Sequence, residues 1–299
     1  MNAYVQSYFL PHCKLLADLA VKALLAEVNV TPKPALVDQR GSGAHDDLTL
    51  ELMEQSAYSL GPMFLEMAQA AFLHHTCLKT LREVIGAIGR AGEAEMLETT
   101  QGVNTHRGAI WALGLLVTAT ALTIQAQQPL IANELCHCAA KLAQLEDRFI
   151  PKKFLSHGQQ VQKTLGAKGA KAQAQQGFPA IVKHGLPQLR YSRKVYGNEV
   201  VARIDALLAI MVTLEDTCVL YRAGQIGLTR MQEGARYVLT CGGYATVAGK
   251  CALNFLEMDL MQLRASPGGA ADLLAATLFL DWIEHHNNQE GTCNGNTQL

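Results

Sequence analysis

Apolar residues recur every three or four positions through most of this chain, the spacing of one face of an α-helix. Between Val200 and Leu214 the positions Val201, Ile204, Leu207, Leu208, Met211 and Leu214 are apolar, with Arg203 and Asp205 set between them. The same period predicts helices over 13–28, 48–60, 62–73, 78–97, 108–125, 130–149, 225–239, 244–263 and 268–286. Pro62 suits the first turn of its helix, where the missing N–H is not needed. No segment offers a convincing alternation of apolar and polar residues, so the expected fold class is all-α. One compact multi-helix domain is expected over 1–299. The period fails between 151 and 188, where Lys152, Lys153, Lys163, Lys168 and Lys171 precede Gln173, Gln175, Gln176, Gly177, Phe178 and Pro179. A long central loop is expected there, as a mobile insertion or a basic lid over a phosphate chain.

A shorter interruption runs from Glu27 to Asp47. Pro32 and Pro34 restrict the backbone and Gly41 and Gly43 permit turns, so this stretch is a loop. It holds Lys33, Asp38, Arg40, His45, Asp46 and Asp47 between two helical patterns, which is how a site is carried on a rigid scaffold. Three more polar islands fall at helix ends. In Gly102–Gly108, Asn104 or Thr105 can cap the following helix and Arg107 can grip an anion. In Glu215–Arg222, two adjacent carboxylates lie near an arginine. In Ser266–Asp272, small residues allow a close backbone approach, and Asp272 lies in the first helical turn, where a simple N-cap accounts for it equally well.

Composition narrows the function classes. Hydrophobic residues make up 49% of the chain and charged ones 17%, which fits a folded, largely buried chain. A net charge of −1 supplies no global field for nucleic acid or an anionic membrane, so a polyanionic ligand needs a local cluster. The apolar run 109–124 falls short of the ~20 residues that span a bilayer and contains Thr118, Thr120 and Thr123, so a buried helix is expected. Gln6, His12, Lys14 and Asp18 interrupt the N-terminal region where a secretion signal needs an unbroken apolar core. The eight cysteines, mostly inside apolar helical runs, read as reduced thiols of a cytoplasmic protein. Cys136-His137-Cys138 on a helix points its ligands to different faces, which argues against zinc. Neither a phosphate-binding P-loop nor a Gly-x-Ser-x-Gly elbow occurs.

Taken together, the islands resemble the triphosphoribosyl-dephospho-coenzyme A synthase family. The likeness is carried by Glu27-Val28-Asn29-Val30-Thr31-Pro32-Lys33-Pro34-Ala35-Leu36-Val37-Asp38, Ser42-Gly43-Ala44-His45-Asp46-Asp47, Gly102-Val103-Asn104-Thr105-His106-Arg107-Gly108-Ala109, Gly177-Phe178-Pro179, Glu215-Asp216-Thr217 and Ser266-Pro267-Gly268-Gly269-Ala270-Ala271-Asp272-Leu273-Leu274. Pro34-Ala35-Leu36 followed by Arg40-Gly41-Ser42-Gly43, together with Ile110–Leu116, looks more like the malonate decarboxylase branch than the citrate lyase branch. The resemblance implies that ATP and 3′-dephospho-CoA react, with release of adenine, to give the precursor of a prosthetic group for a decarboxylase acyl carrier subunit. It implies Mg²⁺ with the ATP, no nucleic-acid or membrane partner, and is compatible with a homodimer.

Glycosidic cleavage needs a carboxylate to accept a proton and a donor to help the base depart. Asp38, Asp46, Asp47, Glu215 and Asp216 are the catalytic candidates, and Asp46, Asp47, Asp216 and Asp272 the metal candidates. Substrate contacts are expected from Asn29, Lys33, Arg40, His45, Asn104, His106, Arg107, Gln173, Gly268 and Gly269, with Lys33, Arg40 and Arg107 on the triphosphate. Where the family commonly reads Arg-Gly-Glu-Ala before Gly-Phe-Pro, this chain reads Lys171-Ala172-Gln173-Ala174, an amide in place of a carboxylate. Two other readings stand beside the transferase: a Mg²⁺-dependent ribosyl hydrolase, and a non-catalytic assembly factor for the decarboxylase.

Overall fold

The computed structural model describes the backbone over residues 3–151, 161, 163, 164 and 166–294, and side chains within those ranges from 9 to 286. Among the described residues it is helical throughout, without strands beyond an isolated bridge between Asp38 and Gly41. In chain order the helices are α1 (Ala3–Val28), α2 (Leu50–Ser59), α3 (Gly61–His74), α4 (Leu78–Thr99), α5 (Arg107–Gln125) and α6 (Ala132–Gln144). After them come α7 (Ala170–Gln175), a π-helical turn (Ile181–Gly185), α8 (Leu186–Tyr196), α9 (Glu199–Thr213), α10 (Thr217–Thr240), α11 (Val247–Gln262) and α12 (Gly268–Asn294). Polar caps set several starts: Thr49 accepts from the Leu52 N–H, Asn198 from Val200 and Val201, and Thr246 from Gly249. α8 stops at Gly197, which adopts φ 62°.

The apolar periods find their reason in α5. This helix packs against α1, α3, α6 and α12, and Leu113, Leu116, Val117 and Ala119 on it are fully buried. Thr118, Thr120 and Thr123 donate their hydroxyls to the carbonyls four residues earlier at 2.7–2.9 Å, so they enter the core without an unpaired donor. By length and composition α5 could cross a membrane, but 72% of its apolar window is buried inside the protein. One continuous apolar core joins its neighbours, from Cys13 on α1 to Ile283 on α12. A second polar fastening lies beside it: the buried Asp205 of α9 accepts from Ser192 on α8 at 2.7 Å and from the Tyr244 N–H at 2.8 Å.

The expected central loop is corrected from Ala170 onward, where α7, the π-helical turn and α8 replace it. Ala174, Phe178, Ala180, Ile181 and Leu189 are buried, and the Trp111 indole N–H of α5 reaches the Ala170 carbonyl at 3.3 Å. Those anchors are too few, and too interrupted by Gly177 at φ 75°, to form a readable helical period. Lys152 and Lys153 lie outside the described residues, whereas Lys168 and Lys171 are placed.

Because α5 is the shared core helix, Leu113→Ala is expected to lower the unfolding free energy by about 2–5 kcal/mol, the usual range for such a truncation. Urea denaturation measures it; a change under about 1 kcal/mol would contradict the central placing of α5.

Candidate active site

The loop after α1 folds back on itself, with residues 33–38 and Ala44 buried and 39–41, Asp46 and Asp47 exposed. Asp38 and Gly41 exchange backbone hydrogen bonds at 3.0 and 3.1 Å, and the Ala44 N–H reaches the Ala35 carbonyl at 3.0 Å. Gly43 closes this turn at φ 58°, where a Cβ would come within 2.5 Å of the Leu36 carbonyl and 2.6 Å of that of Ala35. Asp38 organises the loop: its carboxylate accepts from the Lys33 N–H at 2.9 Å, the Arg40 N–H at 2.7 Å and the Arg40 guanidinium at 2.7–3.2 Å. Lys33, 2% exposed, turns inward and donates to the Glu27 carboxylate at 2.5 Å and to its carbonyl at 2.9 Å. Asn29 bridges the end of α1 to Glu54 of α2 at 2.8 Å.

Beside this loop the N-terminal ends of α5, α10 and α12 come together, joined by two carboxylates. Asp216 caps α10 through the Cys218 and Val219 N–H groups at 2.8 and 3.3 Å, and also accepts from the Ala270 N–H of α12 at 2.9 Å. Gly269 is needed here, since a Cβ on it would press against both Asp216 oxygens at 3.0 and 3.2 Å. Asp272, on the first turns of α12, reaches across to the Ala109 N–H of α5. A Cβ on Gly108 would collide with its carboxylate. Helix N-termini favour negative charge, and here the protein supplies it from its own side chains.

At this meeting point Cys218 is exposed, and Arg107, Gly108, Gly268, Gly269 and Asp272 are partly exposed around it. Burial, then the Glu27 and Asp216 carboxylates, push the Asp272 carboxyl well above the usual range, against the pull of the Ala109 N–H. Burial also raises Asp216, opposed by the backbone N–H groups it caps. His106 closes the site from behind: Nδ1 meets Ser56 Oγ at 2.8 Å, while Nε2 is buried without a hydrogen-bond partner.

His45 ties the loop to α10 and α12. Arg222 on α10 donates to His45 Nδ1 at 3.0 Å and to the Ala44 carbonyl at 3.4 Å, and His45 Nε2 lies 2.7 Å from Ser266 Oγ. With Nδ1 accepting from Arg222, the ring proton sits on Nε2 and is donated to Ser266. Burial and the Arg222 charge keep the imidazole neutral, lowering its pKa against Asp47 and Asp46. Ser266 and His45 with Asp47 at 3.6 Å have the outline of a nucleophilic triad, but this tautomer gives His45 no lone pair to take the serine proton.

Known proteins share this sequence over most of its length. Residues 13–291 match the model of the family described as CitG: ATP:dephospho-CoA triphosphoribosyl transferase. The chain belongs to this family. It is 60% identical over 269 residues to a probable 2-(5″-triphosphoribosyl)-3′-dephosphocoenzyme-A synthase of Pseudomonas fluorescens Pf-5, covering 90% of this chain and 91% of the relative. A protein of the same name from Azotobacter vinelandii is 55% identical over 285 residues, covering 95% and 97%. One from Stutzerimonas stutzeri is 58% identical over 266 residues, covering 89% and 90%. No solved structure matches.

Several expectations for this family member's site change in three dimensions. Lys33, Arg40 and Arg107 were expected on the triphosphate, yet each already faces a carboxylate: Glu27 for Lys33, Asp38 and Glu257 for Arg40, and Glu93 for Arg107 at 2.6 Å. Asp38 and Asp216 spend their oxygens on backbone N–H groups and, for Asp38, on Arg40, so neither is free to act as a base. Asn29 and His106 are engaged inside the fold, and Asn104 accepts from the Arg107 N–H at 3.3 Å at the start of α5. The four metal candidates are not one ligand set. Asp46 pairs with Arg264 at the surface, Asp47 lies by His45, Asp216 and Asp272 hold helix ends, and no metal-binding group of three such side chains occurs among the described residues. Gln173 accepts from the Ala180 N–H at 3.3 Å in a cleft of about 220 Å³ shared with Lys168, His184 and Glu215.

Glu27, Ser266 and Arg222 lie within the sequence islands, but none of them was among the expected site residues.

Burial, and secondarily the Lys33 charge, lower the His106 pKa from 6.5 to about 3. An unfolded chain therefore binds a proton here that the folded one does not, and His106 lowers stability progressively as pH falls from about 6.5 toward 3. Replacing it, as in His106→Gln, is expected to flatten the stability profile across that window by up to about 1.4 kcal/mol per pH unit. Denaturation midpoints at stepped pH measure this, and a parallel profile in the variant would refute the buried neutral imidazole.

Proposed function

We propose that this protein transfers the triphosphoribosyl group of ATP to the 2′-hydroxyl of 3′-dephospho-CoA with release of adenine. In this reading it works in the cytoplasm and makes the prosthetic-group precursor for a malonate decarboxylase acyl carrier subunit. The observation that carries the reading is the meeting of sequence islands far apart in the chain, through direct contacts among the 27–47 loop, 104–109, 216–222 and 266–272. The likeness of Pro34–Leu36, Arg40–Gly43 and Ile110–Leu116 to the malonate branch supports the choice of pathway.

In the reaction the hydroxyl oxygen bonds to the anomeric carbon as the bond from that carbon to adenine breaks. The hydroxyl loses a proton and the departing base gains one. Asp272 is the group we assign as donor: it is partly exposed between the ends of α5 and α12, and burial with its two carboxylate neighbours raises its pKa and so favours the acid form. Asp47, exposed beside His45, and Glu215, exposed and accepting from the Lys168 N–H at 2.9 Å, are the two carboxylates to which we assign acceptance of the hydroxyl proton. Mg²⁺ enters as the complex of the substrate triphosphate, since the described residues offer no resident ligand set and such ions are commonly held by phosphates with one or two carboxylates. Neutral His45, bonded through both ring nitrogens, holds Ser266 and Arg222 in place.

Adenine release from Mg-ATP, followed by chromatography, is expected only when dephospho-CoA is present, with the joined product seen by mass spectrometry. Release without dephospho-CoA would instead favour the hydrolase, and stable binding to a carrier subunit without turnover the assembly factor. Asp272→Asn is expected to lower kcat at least about 100-fold, the usual span of a lost acid–base group, with the fold retained by circular dichroism. Gln173→Glu keeps an oxygen for the Ala180 N–H, so this variant is expected to change a KM while retaining kcat.

A further inference from the structure

We infer that Arg222 is the guanidinium that grips the polyphosphate chain of a substrate nucleotide, an inference that rests on the transferase reading above. Three observations lead to it. First, the cations expected to do this are already neutralised: Lys33 by Glu27, Arg40 by Asp38 and Glu257, and Arg107 by Glu93. Arg222 differs from them. Among the described residues no carboxylate lies within 4 Å of its guanidinium, and its hydrogen bonds go only to His45 Nδ1 and the Ala44 carbonyl. Of its five N–H donors, three are left for a ligand.

Second, Arg222 stands next to the meeting point of the helix ends. It follows Cys218 by four residues on α10, so both side chains share one helix face. Cys218 borders Gly268 and is coupled electrostatically to Asp216, Asp272 and Arg222. The start of α12 therefore lies about one turn of α10 from Arg222, and the 42–47 turn, bonded to it through Ala44 and His45, lies beside it.

Third, its orientation is prepared before a ligand arrives. The His45 ring accepts from Arg222 and donates to Ser266, so one chain of hydrogen bonds runs from α10 through the loop to the turn before α12. A charged side chain whose fixed contacts are neutral atoms keeps its full attraction for an anion, and a planar fork suits phosphate oxygens. His45 is accordingly a positioning residue for Arg222, and Glu27, Glu93 and Glu257 are what withdraw the other cations from this role.

ATP and dephospho-CoA both carry a polyphosphate, so the test has one arm for each. Arg222→Gln, Arg222→Lys and the surface control Arg148→Gln are assayed for adenine release with each substrate varied in turn. Binding of inorganic tripolyphosphate to each full-length protein is measured separately by calorimetry. For Arg222→Gln, KM for one nucleotide is expected to rise at least about tenfold, as for loss of a charged hydrogen bond, and tripolyphosphate binding to weaken by a similar factor. Arg222→Lys keeps the charge without the fork and is expected to fall between it and the native protein; the control is expected to match the native protein.

A rise confined to ATP places the guanidinium on the triphosphate, and one confined to dephospho-CoA places it on the diphosphate; either supports the inference. Unchanged KM values with unchanged tripolyphosphate binding in folded Arg222→Gln would overturn it, as would equal weakening in the Arg148 control. The binding arm needs no turnover. An inactive native protein whose tripolyphosphate binding still depends on Arg222 would sink the transferase reading and leave the phosphate site standing.

Discussion

Two carboxylates at helix N-termini, the buried Asp216 and the partly exposed Asp272, join three helices of this protein. Asp216 satisfies N–H groups of both α10 and α12, and Asp272 carries α12 across to α5. The first turns of a helix leave donors that nothing within the helix can satisfy, and burying them unpaired is costly. By serving two helices at once, Asp216 settles that requirement and sets how closely they approach. Gly108 and Gly269 follow from the same constraint, because a side chain at either would displace a carboxylate.

The consequence for chemistry is that acidity among these carboxylates is uneven. Asp216 is committed to backbone donors, and Asp38 to the loop and Arg40. Asp272 accepts from the Ala109 N–H and has two acidic neighbours in Glu27 and Asp216, so its acid form is favoured. Similar logic sorts the cations. Lys33, Arg40 and Arg107 look equivalent as basic residues in polar islands, but each is answered by a carboxylate from elsewhere in the fold. Arg222 is oriented by neutral groups alone.

Much of the fold was legible because helix period and loop punctuation are local. The predicted bounds 78–97 and 108–125 lie close to those of α4 and α5, and the predicted start at 268 is that of α12, which runs on past 286 to Asn294, since an apolar stripe between polar or glycine-rich breaks requires no distant information. α7 and α8 escaped because their anchors are sparse, and a π-helical turn breaks the period between them. The islands around Asn104, Asp216 and Ser266 stood out by residue type and position at helix ends. Glu27 did not: at the end of an ordinary helix pattern, nothing marks it as the partner of Lys33.

Sequence alone determined that the chain is helical, where its backbone is interrupted, and which family it resembles, because these rest on patterns a few residues long. Only the tertiary structure decided which charged residues remain available. Arg40 meets Glu257 across 217 positions and Arg222 meets His45 across 177, contacts that no local spacing encodes. Whether a charge is free depends on what the fold brings beside it.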